Sequence, residues 1–157
     1  MILASMPRKM KGQSWSMFPS LHGNVKKLLK GSGLGFSFQN ADQRNCAQEY
    51  DTNIKGRFSC LNSKCAAKGW SSNLIPITIR MYHGQKYNAR VYHQRCKHCN
   101  WLAKPHLDGS YAERIAYRLK KWSGIQVKQP PYGGGVDGRP HITELCEGCK
   151  AGHCKWT

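Results

Sequence analysis

The spacing of the cysteines constrains this chain more than any other feature of its sequence. Seven of the 8 cysteines lie from Cys60 onward, and six of those seven fall in short pairs. Four residues separate Cys60 from Cys65, two separate Cys96 from Cys99, and two separate Cys146 from Cys149. Cys154 follows the last pair, and His141 stands just before it. A short turn between two cysteines brings both thiolates to one ion while backbone amides face the sulfurs, which is what a tetrahedral zinc site requires. A single pair of this kind is a weak signal, but three along one chain form a pattern. Cys60, Cys65, Cys96, Cys99, His141, Cys146, Cys149 and Cys154 supply ligands for two four-coordinate sites and leave Cys46 over.

Other uses of the cysteines fit less well. A disulfide framework needs an export route. Met1-Ile2-Leu3-Ala4 is too short for the apolar core of a signal peptide and is followed by Pro7, Arg8, Lys9 and Lys11, the wrong order of charge and apolar residues. No Asn-x-Ser/Thr acceptor for glycosylation occurs. The expected location is therefore cytoplasmic or nuclear, where clustered cysteines serve as metal ligands. No strand-helix-strand pattern surrounds any pair, which argues against a dithiol redox enzyme. A catalytic zinc keeps an open position and a carboxylate base nearby, whereas the ligand count here fills both sites. Glu147, between Cys146 and Cys149, is the only candidate for such a base. We therefore expect two structural zinc ions and no enzymatic activity. His93 reads as a core or edge histidine, and His98 and His153 as exposed residues of the metal-binding turns.

Around these pairs the apolar pattern indicates an α+β domain, a zinc-ribbon-like β-hairpin with one amphipathic helix. Residues 74–82 alternate, with Ile75, Ile77, Ile79 and Met81 on one face and Thr78, Arg80 and Tyr82 on the other. After His83-Gly84-Gln85, Tyr87, Ala89 and Val91 alternate with Arg90, Tyr92 and Gln94, so the two runs read as a hairpin. Pro76 suggests an edge strand or a strand beginning. The hairpin would bring Cys60/Cys65 and Cys96/Cys99 to one end, where one zinc could clamp all four, leaving His141, Cys146, Cys149 and Cys154 for the second. Spacing alone leaves a cross-braced pairing open. Ser110 with Glu113 has the form of a capping box, and Ala112, Ile115, Ala116, Leu119 and Trp122 then share a helical face up to Gly124. Residues 1–55 read as a basic N-terminal arm carrying a short helix (Leu21, Val25, Leu28, Leu29), and residues 56–157 as the zinc-binding domain. Gly31-Ser32-Gly33-Leu34-Gly35 has neither the preceding strand nor the closing Gly-Lys-Ser/Thr of a phosphate loop and reads as a flexible turn. Gln129 to Pro140 reads as a surface loop.

Charge bounds the partner. Lys plus Arg number 25 against 8 Asp plus Glu, a formal net charge of +17, and such an excess attracts phosphates without regard to sequence. No apolar run is long enough to span a membrane as a helix. The polar face of the hairpin would set Arg80, Tyr82, Lys86, Arg90 and Tyr92 together, cations interleaved with rings that can stack on unpaired bases. Arg114, Arg118, Lys120 and Lys121 would add backbone contacts. The first expectation is a nucleic-acid-binding module with RNA favoured. The second is a protein-interaction adaptor or trafficking chaperone docking through the arm helix and exposed aromatics.

Several segments together carry a family resemblance. Gly56-Arg57-Phe58-x-Cys60, Trp70-Ser71-Ser72, Gln94-Arg95-Cys96-x-x-Cys99, His141-x4-Cys146-Glu147-x-Cys149 and Gly152-x-Cys154 resemble the 3CxxC-type zinc-finger family. That family includes fungal proteins, the receptor-transporting proteins and the C-terminal domain of zygote-arrest proteins. Trp15-Ser16-Met17-Phe18-Pro19 and Tyr50-Asp51-Thr52 are similar to the fungal members as well. The resemblance implies zinc bound by the same seven cysteines and His141. It also implies a role in binding RNA, as in the zygote-arrest branch, or receptors, as in the receptor-transporting branch. Two departures stand out: the first pair is Cys-x4-Cys rather than Cys-x2-Cys, and the chain ends at Lys155-Trp156-Thr157 without the membrane anchor of the receptor-transporting branch.

Overall fold

The two alternating runs form the centre of a larger antiparallel sheet. The computed structural model describes residues 14–41, 45–129 and 141–154. Its strands are β1 (Trp15–Ser16), β2 (Ser37–Phe38), β3 (Gln48–Cys60), β4 (Gly69–Tyr82), β5 (Lys86–Tyr92) and β6 (Ala103–Leu107). The helices are α1 (His22–Leu28), α2 (Ser110–Trp122) and α3 (Glu147–Lys150), with 3-10 turns at Pro19–Leu21 and Thr143–Leu145. The strand order is β1-β5-β4-β3-β6, and β2 pairs in parallel with β5.

The expected hairpin is β4-β5, with Ile77 opposite Val91 and Tyr82 opposite Lys86. Its turn places Gly84 at φ 85 and Gln85 at φ 56, the left-handed region that a tight hairpin turn requires. β3 and β6 extend the sheet beyond that hairpin. β3 runs through the boundary drawn after residue 55, and Val25, Leu29 and Phe36 of the arm belong to the same core as Ile54, Ile77 and Leu119. Pro76 is not at a strand start, but it lies where β4 has lost its β5 neighbour and is paired on one side only. It lies within β4 opposite Asn53, just where pairing between β4 and β5 ends at Ile77, and α3 packs on it there through Gly148.

Ile54, Ile75, Ile77, Ile79, Tyr87, Ala89 and Val91 line the inner face of the sheet. Helix α2 covers that face with Tyr111, Ala112, Ile115, Ala116 and Leu119, all buried, and α1 adds Val25. Leu28, assigned to the arm helix's apolar face, is 42% exposed. Helix α2 has the expected span and face but a different start. Ser110 makes no capping box: Gly109 is the N-cap, the Ser110 amide donates to Asp108 Oδ1, and its hydroxyl accepts from the Lys55 amide of β3 at 2.8 Å. That hydroxyl therefore ties the helix to the sheet instead of closing its own first turn. The Gly31–Gly33 segment is a turn with both glycines at positive φ, as expected. The loop expected at 129–140 lies outside the described residues from 130 onward.

Candidate metal centres

Two groups of four ligands come together. Cys60 ends β3, Cys65 sits in the loop before β4, and Cys96 and Cys99 occupy the turn between β5 and β6. Their sulfurs all lie within 4.8 Å of one another. Cys60 and Cys99 sulfurs are 3.5 Å apart, and those of Cys65 and Cys96 are 3.8 Å apart. At the second centre, His141 Nε2 lies 3.4 Å from Cys149 Sγ and 3.6 Å from Cys154 Sγ, with Cys146 completing the group. The donors are thus grouped as the ribbon arrangement requires, not in the cross-braced alternative.

These spacings test whether zinc fits. A tetrahedron with Zn–S near 2.3 Å and Zn–N near 2.0–2.1 Å has sulfur–sulfur edges of about 3.8 Å and sulfur–nitrogen edges of about 3.6 Å. The short separations, 3.5 and 3.8 Å between sulfurs and 3.4 and 3.6 Å from sulfur to nitrogen, lie within a few tenths of an ångström of these edges, and none of the cysteines is in a disulfide. The donor sets, four cysteines at one centre and three cysteines with a histidine at the other, are those of closed structural sites. The local turns hold them in place. The Cys149 amide donates to Cys146 Sγ at 3.4 Å. Asn100, at φ 62, donates its amide to the Cys96 carbonyl, and Cys96 donates to Trp101 O.

Without a cation, Cys60, Cys146 and Cys149 resist ionisation. Burial pushes Cys60 up to about 12, and burial followed by Cys154 pushes Cys149 up to about 11. Cys146 is raised by its hydrogen bond with Cys154 and then by burial. Burial also opposes ionisation at Cys99, but hydrogen bonds from the Trp101 amide, Asn62, Cys60 and Cys65 outweigh it and bring that thiol to about 7. Four thiolates packed this closely need a compensating charge, and a divalent ion supplies it.

The two centres are joined by backbone. Gln94 bridges to Cys146, the Arg95 amide donates to Leu145 O at 2.7 Å, and the Glu147 amide donates to His93 O at 3.0 Å. Arg95 Nε lies 3.0 Å from Glu147 Oε2, with both side chains largely buried. Between the centres runs an open cleft of about 330 Å³, lined by Trp70, Gln94, Lys97, His98, Ile142 and Leu145 among others.

With both centres described, the class of protein follows. The chain belongs to the 3CxxC zinc-ribbon family, whose model, described as a zinc-binding domain, matches residues 53–152. No curated protein and no solved structure gives a significant match. The two centres fit two structural zinc ions.

The other expected site residues have different fates. Tyr82 and Tyr92, expected on an exposed face, are 5% and 1% exposed, so neither ring is open to a base. The outer face of the hairpin is covered at Tyr92 by the second metal centre: His153 stacks on Tyr92 at 5.7 Å and reaches Asp51 at 3.0 Å. Tyr92 shares a hydrogen bond with Thr78, and Asn88 holds Tyr82 and the Gln39 and Ala41 carbonyls. His153 is accordingly half-buried rather than an exposed turn residue, whereas His98 is exposed. His93 belongs to neither ligand group, and its ring meets Ser16 Oγ at 2.7 Å. Arg80 pairs with Glu49 at 2.8 Å, and Arg90 lies 4.6 Å over the Trp15 ring. Arg114 is buried at 5% exposure, and Arg118 lies over the Tyr50 ring at 3.4 Å. Lys120 is half-buried, and only Lys86 and Lys121 of that set are exposed.

Sequence reasoning missed a row of polar residues on β3 and β6. Arg57 and Ser59 alternate with Phe58 and Cys60, and Lys104 and His106 alternate with Ala103, Pro105 and Leu107. That period of two was the available signal. Pro105 and the adjacent cysteines obscured it.

Proposed function

We propose that this chain is a non-enzymatic, zinc-stabilised module that binds nucleic acid, with RNA the favoured ligand. The observation that carries this reading is the charge balance. With 8 carboxylates for 25 cations, pairing within the chain can neutralise fewer than a third of them. Seven thiolates and two dications at the metal centres lower the formal charge by only three, from +17 to +14. A surplus of this size favours a polyanionic partner. RNA is preferred over DNA through the resemblance to the zygote-arrest branch.

The test is a binding titration of the zinc-loaded full chain against labelled single-stranded RNA, duplex RNA and single-stranded DNA across a range of salt. Affinity that falls log-linearly with salt and is greatest for RNA supports the reading. Absence of binding at low salt, or affinity flat with salt, contradicts it. Capture of a protein partner that survives nuclease treatment, with no RNA affinity, would point to the adaptor role instead.

A further inference from the structure

The outer face of the sheet is divided in two. Over its β4-β5 half the second metal centre closes down, with Gly148 against Pro76 and Tyr92 and His153 against Tyr92. The other half, where β4, β3 and β6 run side by side, lies on the opposite side of the sheet from Phe58 and Trp70, which stack on each other at 5.4 Å. There Arg57 stands opposite Ser71 and His106, and Ser59 opposite Lys104. Arg57, Ser71, Lys104 and His106 are exposed.

We infer that this open half-face, built on Arg57, Lys104 and His106, is where the ribose-phosphate backbone of an RNA strand lies. The inference rests on the nucleic-acid reading above and places its interface away from the hairpin. Charge complementarity selects the occupant. Among the described residues of these three strand segments, 57–60, 69–71 and 103–107, none is acidic, and the Asp108 that follows is engaged by Ser110. Cross-strand neighbours stand about 5 Å apart and residues two along a strand about 7 Å apart, so the cations and hydroxyls form a short grid rather than a single point. The groups are partly preset. Arg57 Nη1 donates to Ser71 Oγ at 3.2 Å, and Ser59 Oγ lies 2.8 Å from His106 Nε2. The face carries no stacking ring other than the histidine, since Phe58 and Trp70 point inward. Contact is therefore with phosphates and riboses, which position a strand without reading its sequence.

The test compares two double variants of equal charge loss, Arg57→Gln with Lys104→Gln, and Lys86→Gln with Lys121→Gln. Both pairs are exposed, and zinc content and melting temperature check that each variant is folded. Lys104→Gln alone serves if Arg57 proves necessary for folding. The face variant is expected to bind single-stranded RNA at least roughly tenfold more weakly, equally across sequences, with its salt slope reduced by about 1.4, two phosphate contacts' worth. The Lys86/Lys121 variant is expected to keep most of its affinity. Equal weakening of the two would overturn this assignment and leave the nucleic-acid reading standing. Failure of the unaltered chain to bind RNA at low salt would overturn both.

Discussion

Glu147 stands between two metal ligands and is, in the sequence, the only candidate for a carboxylate base beside a catalytic zinc. In the fold its side chain links the two centres, meeting Arg95 at 3.0 Å and Lys150 at 3.0 Å. The partners differ in exposure, 16% for Arg95 and 48% for Lys150, and this sets the energetics. Removing one member of a buried pair strands the other, whereas an exposed pair contributes little. Glu147→Ala is expected to cost about 3 kcal/mol and Lys150→Ala about 0.5 kcal/mol or less, read from denaturant unfolding of the zinc-loaded protein. Equal costs would contradict the bridging role. Gly148 is a second test at this scale. A Cβ there would lie 2.5 Å from Pro76 Cγ and 3.3 Å from Tyr92 Cβ. A proline ring cannot rotate away, so Gly148→Ala is expected to lose about 1–3 kcal/mol. A melting temperature unchanged from the parent would contradict that packing.

At the level of elements, the metal ligands, the β4-β5 hairpin and helix α2 were legible in the sequence, because spacing and periodicity are local. What each face meets is not local. The alternation of Thr78, Arg80 and Tyr82 with the isoleucines shows which residues share a side, but period two carries no information about what covers that side. The cover over Tyr92 comes from residues 148–153, remote in sequence. Ser110 makes the same point, since its local pattern suits a capping box and its tertiary partner, Lys55, takes the hydroxyl. β3 was missed because Gln48, Glu49, Asp51 and Asn53 dilute its apolar signal, although β4 pairs along most of its length and β6 along Gly56–Cys60.

Burial has a consequence for pH as well. Tyr87 on β5 and Tyr111 on α2 have phenols pushed above their ordinary value, in both cases chiefly by burial. The folded state therefore prefers them protonated. Their contribution is complete below about pH 10, where unfolded tyrosine titrates, and is lost as pH rises beyond it. Unfolding free energy of the zinc-loaded chain should fall with pH above that point, and Tyr87→Phe should flatten the decline. A stability profile flat through the alkaline range would contradict this.

Across the whole molecule, the two metal centres and the sheet form one unit. Both centres hang on residues 93–96, through the Gln94–Cys146 bridge and the backbone bonds of His93 and Arg95. No helix among the described residues is long and apolar enough to cross a membrane. Structural zinc contributes roughly 10 kcal/mol or more per site to folding in small domains, comparable to the whole stability of an ordinary domain. Cys65→Ser is expected to lose one zinc equivalent and to loosen the second centre with it, whereas Cys46→Ser keeps both ions. The most direct measurement is native mass spectrometry of the unaltered chain, before and after chelation, with near-ultraviolet circular dichroism in parallel. The account predicts two zinc ions per chain, all cysteine thiols unoxidised, and loss of the tertiary signal as the metal is withdrawn. A monodisperse, metal-free chain that keeps its tertiary signal would contradict it.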